Sequence, residues 1–244
     1  MMWILPMAGK GTRTASRGRF KPMIPVAGRT VMEWMLLGVR EHCAHGDRLV
    51  FITTRDFDNE FGFQAAVASQ QSAQLLPPDC RVVLTDDTPP GPAASVFAAA
   101  RELDPDEPCT VVNCDQLIVF GVKSELGAYD GFMPLYVNST GKSSYAVVEG
   151  GRIVGMREKE LVSHYASAGV YGVGSARALL EALEWSFANT AGTSGEHFVG
   201  PARMHLLTRG GVIYPTTTTV KFDLGSEDAI ARFERFATSW ARLT

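Results

Sequence analysis

MMWILPMAGKGTRTASRGRFKPMIPVAG, residues Met1–Gly28, is the stretch on which the fold turns. Trp3–Pro6 is a short apolar run of the kind that forms a buried strand. It ends in a loop that packs three arginines, two lysines and three glycines into the fifteen residues from Met7 to Lys21. Glycine lets a backbone approach a ligand and present its N–H groups, so a strand running into such a loop suggests a phosphate site. The next segment, TVMEWMLLGVREHC, places Met32, Met35, Leu36 and Val39 at helical spacing. Strand, cationic loop and helix open an α/β pattern.

Two phosphate motifs are excluded by residue identity. A dinucleotide fingerprint needs a glycine at position 14, where the chain has Thr14, and an acidic residue at the end of the second strand, which is missing. A P-loop fails because Lys10 lies between Gly9 and Gly11, and Gly11 is followed by Thr12 and Arg13. What remains is G-x-G-T-R, a basic run, and K-P. A solvated basic loop would have the same composition, but lysine usage speaks against it. Only six lysines (Lys10, Lys21, Lys123, Lys142, Lys159, Lys221) stand against seventeen arginines, so lysines at these positions look chosen for a compact point charge.

Outward from the loop, RLVFITT (Arg48–Thr54) reads as a second buried strand, EFGFQAAVASQQSAQLL (Glu60–Leu76) as a helix and RVVLT (Arg81–Thr85) as a third strand. DDTPPGPAASVFAAARELD supplies a turn-rich loop and an Ala-rich helix entered at Pro92, a residue tolerated in a first helical turn. PCTVVNCDQ then gives a fourth buried strand ending on Asp115. This alternation predicts an α/β fold with a mixed, mostly parallel sheet and helices on both faces. Beyond Asp115 the pattern changes. GFMPLYV, SSYAVVEGGRIVGMRE and YASAGVYGV are strand-like, with a hairpin turn at Gly150–Gly151. Helices return at SARALLEALEWSFAN and at SEDAIARFERFATSWARL, where Ser226 is a candidate N-cap followed by acidic Glu227 and Asp228.

Composition sets the remaining bounds. A chain of 244 residues with 45% apolar and 20% charged residues has ordinary globular content and fits one domain. A net charge of −3 argues against a nucleic-acid partner, which would demand a basic face. Cys43, Cys80, Cys109 and Cys114 form no C-x-x-C pair and read as free thiols of a reducing compartment. A leader of useful length is lacking, and so is an apolar run near the roughly 18 residues of a membrane span, so a cytoplasmic protein without a membrane partner is expected. Homo-oligomerisation is left open.

The ordered motifs resemble those of the sugar-1-phosphate nucleotidylyltransferases. AGKGTR…FKPMIPVAGRTVMEWML is similar to that family's signature, GPAASV to its G-x-A segment near the base, and NCDQ to its metal-binding Asp. SYAVVEGGRIVGMREKE is similar to its Y-G-V-V…E-K-P segment and ASAGVY to the strand after it. GEHFVGPA follows its G-E-x-x-x-T-D segment, and KFDLGSEDAI its D-x-G-T-x-E-D-L segment. The short bacterial enzymes of capsule and surface-polysaccharide loci are the subgroup most alike. The resemblance implies a Rossmann-like nucleotide-diphospho-sugar transferase fold in one domain, residues 1–244, with a nucleotide-binding part at 1–117 and an acceptor-binding part at 118–244.

It also implies a reaction: an NTP and a phosphorylated small-molecule acceptor give an NDP-activated product and pyrophosphate. The acceptor phosphate is already an anion near neutral pH, so no side chain must deprotonate it. That agrees with the lack of a convincing Ser-His-Asp or Cys-His set among the five histidines. The difficulty is bringing two anions together, which metal ions and cationic side chains relieve. By the resemblance, Arg13 and Lys21 hold the triphosphate, cradled by Met7, Ala8, Gly9, Lys10, Gly11 and Thr12, with Gly91 beside the base and Asn113 and Asp115 completing the nucleotide site. Asp115 and Asp223 would bind Mg²⁺, which suits hard carboxylates. Lys159 would meet the acceptor phosphate, Tyr145, Glu158, Gly169 and Glu196 would line the acceptor, and Arg17 and Arg19 are left to solvent.

Departures fall on the acceptor side. E-K-P is here Glu158-Lys159-Glu160, Y-G is Tyr145-Ala146, and GEHFVGP lacks the Thr-Asp pair. Two rivals are set beside the transferase. An A-type glycosyltransferase would use a D-x-D, for which Asn113-Cys114-Asp115 lacks the first Asp; a non-catalytic nucleotide-binding module would not require Arg13, Lys21, Asp115 and Asp223 together.

Overall fold

The computed structural model describes residues 1–121, 129–190 and 195–240; Lys123 and the last three residues of the expected C-terminal helix, 241–243, lie outside them. Strand β1 (Met2–Pro6) runs into the cationic loop, which contains single 3₁₀ turns at Thr12–Thr14 and Lys21–Met23. A small hairpin, β2 (Pro25–Val26) and β3 (Arg29–Thr30), leads to α1 (Val31–Arg40). Thr30 and Glu33 close a capping box there: Thr30 Oγ1 accepts from the Glu33 N–H at 3.2 Å and Glu33 Oε2 accepts from the Thr30 N–H at 2.6 Å.

Strand β4 (Arg48–Thr54) coincides with RLVFITT. The helix expected from 60 to 76 is instead two, α2 (Arg55–Phe61) and α3 (Phe63–Ser72), because Gly62 adopts a left-handed conformation, φ 63°, that ends the first. After β5 (Cys80–Thr85) and α4 (Pro92–Ala98), strand β6 (Cys109–Val112) stops before Asp115, which therefore sits in the turn to β7 (Gln116–Phe120) rather than on a strand end.

The rest is built from β8 (Gly131–Val137), the hairpin β9 (Ser144–Glu149) and β10 (Arg152–Glu158), and then β11 (Tyr165–Ser167) and β12 (Val170–Val173). Gly150 and Gly151 both have positive φ, 54° and 73°, the geometry that matches a two-residue turn to strand twist. YASAGVYGV is thus two strands in different pairings rather than one. Helix α5 (Ala176–Asn189) starts on a Ser175 cap, and the short α6 (Val199–Ala202) and α7 (Met204–Thr208) precede β13 (Ile213–Asp223) and α8 (Glu227–Trp240). Ser226 does cap α8: its Oγ accepts from the Ala229 N–H at 3.3 Å.

The main sheet has eleven strands in the order β5-β4-β1-β6-β12-β8-β11-β9-β10-β13-β7. Pairing is parallel from β5 through β6 and again where β13 lies along β8; the other pairings are antiparallel, so the sheet is mixed. Helices cover both faces. In β1 the alternation is visible residue by residue: Met2 and Ile4 pack with Val96 of α4 and Leu179 and Leu183 of α5, whereas Trp3 and Leu5 pack with Met35 and Leu36 of α1 and Phe63 of α3. A third, small cluster joins Ile24, Val26 and Val31 after the cationic loop to Leu224, Ile230 and Phe233 at the end of the chain. Burying each large side chain there contributes roughly 1.5–3 kcal/mol, enough to hold late sequence against the opening loop.

Candidate active site

The loop after β1 is shaped before any ligand arrives. Gly11 has φ 65°, and a Cβ there would stand 2.5 Å from the Arg19 carbonyl oxygen, so the loop folds back on itself only with glycine at this position. Thr14 is buried and its hydroxyl donates to the Gly11 carbonyl at 3.0 Å. Met7 and Ala8 are buried beneath, while Gly9 and Lys10 are exposed. Arg17 and Arg19, left to solvent in the sequence reading, are engaged: Arg17 makes a two-pronged pair with Glu234 on α8 at 2.8 and 2.9 Å, and Arg19 meets Glu60 on α2 at 2.9 Å. The Ser16 hydroxyl donates to Glu227 at 2.5 Å. These contacts pin the loop at its tip and leave Arg13 mostly exposed.

Asp115 is the centre of the charge cluster. Its Oδ2 lies 3.0 Å from Lys21 Nζ and 3.6 Å from Arg13 Nη2. Burial works to raise the Asp115 pKa, but the charge and hydrogen bond of Lys21, with Arg13 and Lys221 behind it, win and hold the carboxyl at about 2. Burial likewise opposes the Lys21 charge, and Asp115 overrides it, so the Lys21 pKa is raised.

Asp223 reaches this place through the β7–β13 ladder, in which Asp223 stands opposite Gln116. The Leu224 N–H donates to the Asp115 carbonyl at 2.8 Å, and the Gly225 N–H donates to Asp223 Oδ1 at 2.8 Å. A Cβ on Gly225 would stand 2.6 Å from Asp115 Oδ2 and 2.9 Å from Asp223 Oδ1, so the two carboxylates face each other across a spot kept free by glycine. No group of three or more Asp, Glu, His or Cys with metal-binding placement occurs among the described residues. Asp115 and Asp223 are the residues that could hold a hard divalent cation such as Mg²⁺, whose preference is for carboxylate oxygen.

Asn113 and Gly169 sit beside this pair. The Asn113 N–H donates to the Gly169 carbonyl at 2.8 Å, and a Cβ on Gly169 would stand 2.7 Å from Asn113 Nδ2. Gly91 makes a close backbone contact. Its missing Cβ leaves room for His197, whose carbonyl oxygen would be 2.5 Å away, and the His197 N–H donates to the Pro90 carbonyl at 2.9 Å. Through this backbone junction the segment at Glu196 is locked to the entrance of α4.

On the acceptor side, Tyr145 is fully buried, with its hydroxyl accepting from the Gly141 N–H at 2.8 Å. Glu158 is hydrogen-bonded by the Ser144 hydroxyl; burial raises its pKa against the opposing pull of Ser144 and Lys159. Lys159 has φ 55°, a left-handed backbone rare for lysine, and its Nζ lies 5.1 Å from the centroid of the Phe198 ring. A cavity of about 350 Å³ opens at Glu158, lined also by Met156, Trp185, His197, Phe198 and Met204. Phe198 and Lys221 were not singled out from sequence as site residues. Lys221 had a signal: two residues before Asp223 on a strand, it shares that residue's face.

Fold and charge cluster together describe a mixed α/β protein with a cationic loop beside two facing carboxylates. Residues 3–120 match the family model described as a MobA-like NTP transferase domain. The chain is similar in structure to the nucleoside-diphosphate-sugar pyrophosphorylase from Vibrio cholerae RC9, with 22% identity, a TM-score of 0.81, and 96% of this chain and 100% of that one covered. It is also similar to the inositol-1-phosphate CTP transferase from T. maritima, with 13% identity, a TM-score of 0.73, and 97% and 94% coverage. A UDP-glucose pyrophosphorylase solved with UDP-glucose shares 16% identity at a TM-score of 0.73, with 100% and 99% coverage. No curated protein sequence matches the chain. The family model spans 118 of the 244 residues, and the solved structures, each under 25% identical, share the fold along nearly the whole chain. None of the helices, among the described residues, is long and apolar enough to cross a membrane.

Proposed function

We propose that the protein transfers a nucleotidyl group from an NTP to a small phosphorylated acceptor, a sugar 1-phosphate or similar monoester, and releases pyrophosphate. The observation that carries this reading is the meeting of Asp115 and Asp223 across Gly225, with Lys21 and Arg13 on the same carboxylate. An oxygen of the acceptor phosphate attacks the α-phosphorus of the NTP; the bond from that phosphorus to the β-bridging oxygen breaks, and the electron pair leaves with pyrophosphate. Arg13, mostly exposed beside Asp115, and Lys21 neutralise the leaving pyrophosphate, while N–H groups from Gly9 to Thr12 orient the triphosphate. Mg²⁺ held by Asp115 and Asp223 would neutralise phosphoryl oxygens at the point of attack. Lys159 binds the acceptor side, and Glu158 and Glu196 place its hydroxyls if it is a sugar. An NDP-activated product of this kind suits capsule or surface-polysaccharide assembly in the cytoplasm.

Pyrophosphate release measured with a panel of NTPs and phosphate monoesters tests this. Release that needs an NTP, an acceptor and Mg²⁺ supports the transferase. Free NDP as product, or no turnover with any acceptor, sinks it.

A further inference from the structure

Lys221 stands outside the roles assigned so far. It lies on β13 two residues before Asp223, so both side chains leave the strand on one face. Its Nζ donates to Gln116 Oε1 at 2.8 Å and lies 5.2 Å from the centroid of the Tyr136 ring. Gln116 directly follows Asp115, and its Nε2 would be 3.0 Å from a Cβ on Gly169. The Tyr136 hydroxyl is 3.2 Å from Ser143 Oγ and accepts from Asn138 Nδ2 at 2.8 Å, and the Ser143 carbonyl accepts from the Lys159 N–H at 2.9 Å. Tyr136 thus carries Lys221 on its face and is tied at its hydroxyl end to the backbone segment that holds the Lys159 main chain.

The partners of Lys221 are the informative point. Lys21 is paired with a carboxylate at 3.0 Å, whereas Lys221 is held, among the described residues, by a neutral amide and a ring. Its ammonium acts on Asp115 only through space, with no ion pair to it, so the group is oriented and still has N–H donors to give, which is the state a phosphate-binding lysine needs. A triphosphate and a phosphate monoester bring several negative charges together, and Arg13 and Lys21 already face Asp115. We propose that Lys221 binds the phosphate of the acceptor beside the Asp115–Asp223 pair, with Gln116 and Tyr136 as the groups that aim it. The ligand class is a small phosphate monoester, and the assignment rests on the transferase reading above.

Calorimetric titration of inorganic phosphate into protein saturated with magnesium tripolyphosphate, which fills the opening loop, tests this. Lys221→Met is expected to weaken phosphate about tenfold, the size of one lost charge-assisted hydrogen bond, while Lys221→Arg stays within about threefold and tripolyphosphate affinity within about twofold. Gln116→Met, which frees the ammonium but keeps it, is expected to weaken phosphate by about threefold and decides the matter should Lys221→Met fail to fold. Unchanged phosphate affinity in the variants overturns the proposal, as does an equal loss of tripolyphosphate affinity or a loaded wild-type protein that takes up no phosphate. Failure of the transferase reading is separate: pyrophosphate release would be absent with every NTP while phosphate binding still followed residue 221.

Discussion

The two halves of the sheet solve the same problem, placing charged side chains at a strand end, by different means. From β5 through β6 the strands are parallel and buried, and their loops emerge at one edge, where the opening loop and the Asp115 turn meet. Beyond β6 the strands are largely antiparallel, and the side chains that matter arrive from distant sequence: Lys159 after β10, and Lys221 and Asp223 on β13. The first half carries its charges on loops strapped by ion pairs. The second carries Lys221 and Asp223 on a strand itself, where residue alternation fixes the face they share, and Lys159 just past the end of another.

The comparison can be broken at its seam. Asp115→Asn removes the group both halves touch and is expected to lower kcat for pyrophosphate release by about 10³-fold or more. The same position gives a stability test. A carboxyl held at about 2, below its ordinary 3.8, stabilises the folded state by an amount fully present above the ordinary value and lost as pH falls toward 2. The wild-type advantage over Asp115→Asn in urea midpoint should thus be on the order of 2 kcal/mol near pH 6 and shrink between pH 4 and 2. A gap that stays constant over that range would remove Lys21 as the cause.

Lys159→Ala tests the second half alone. It is expected to raise the acceptor KM about tenfold while the NTP KM holds within about twofold; equal loss for both substrates would place Lys159 on the nucleotide instead. The smallest effect belongs to the first half. Arg17→Ala, which removes the pair to Glu234, is expected to cost no more than about 1 kcal/mol in denaturant midpoint, because the pair is partly solvated.

Legibility in sequence followed the same division. Arg48–Thr54 is buried on both faces and surrounded by turn residues, so a continuous apolar run marks the strand to the residue. Asp115 and the opening loop were legible because they flank such strands. Gln116–Phe120 and Ile213–Asp223 were not seen as strands. The second contains Pro215 and four consecutive threonines, Thr216 to Thr219, and its partner lies about a hundred residues away, so no local pattern announces the ladder. Asp223 was therefore found through motif resemblance, and Lys221, which depends on knowing the strand's face, was passed over. Gly62 dividing α2 from α3 shows the opposite limit, a single backbone conformation outweighing a helical composition on both sides.

The ladder between β7 and β13 also sets a clock on biosynthesis. Every strand of the parallel half has left the ribosome when Asp115 emerges, yet Asp223 follows only about a hundred residues later. At roughly 5–20 residues per second that interval lasts about 5–20 s, during which the opening loop lacks both the second carboxylate and the α8 partners, Glu227 and Glu234, that pin it. The charge cluster is complete only with the last strand and helix, not with the parallel half.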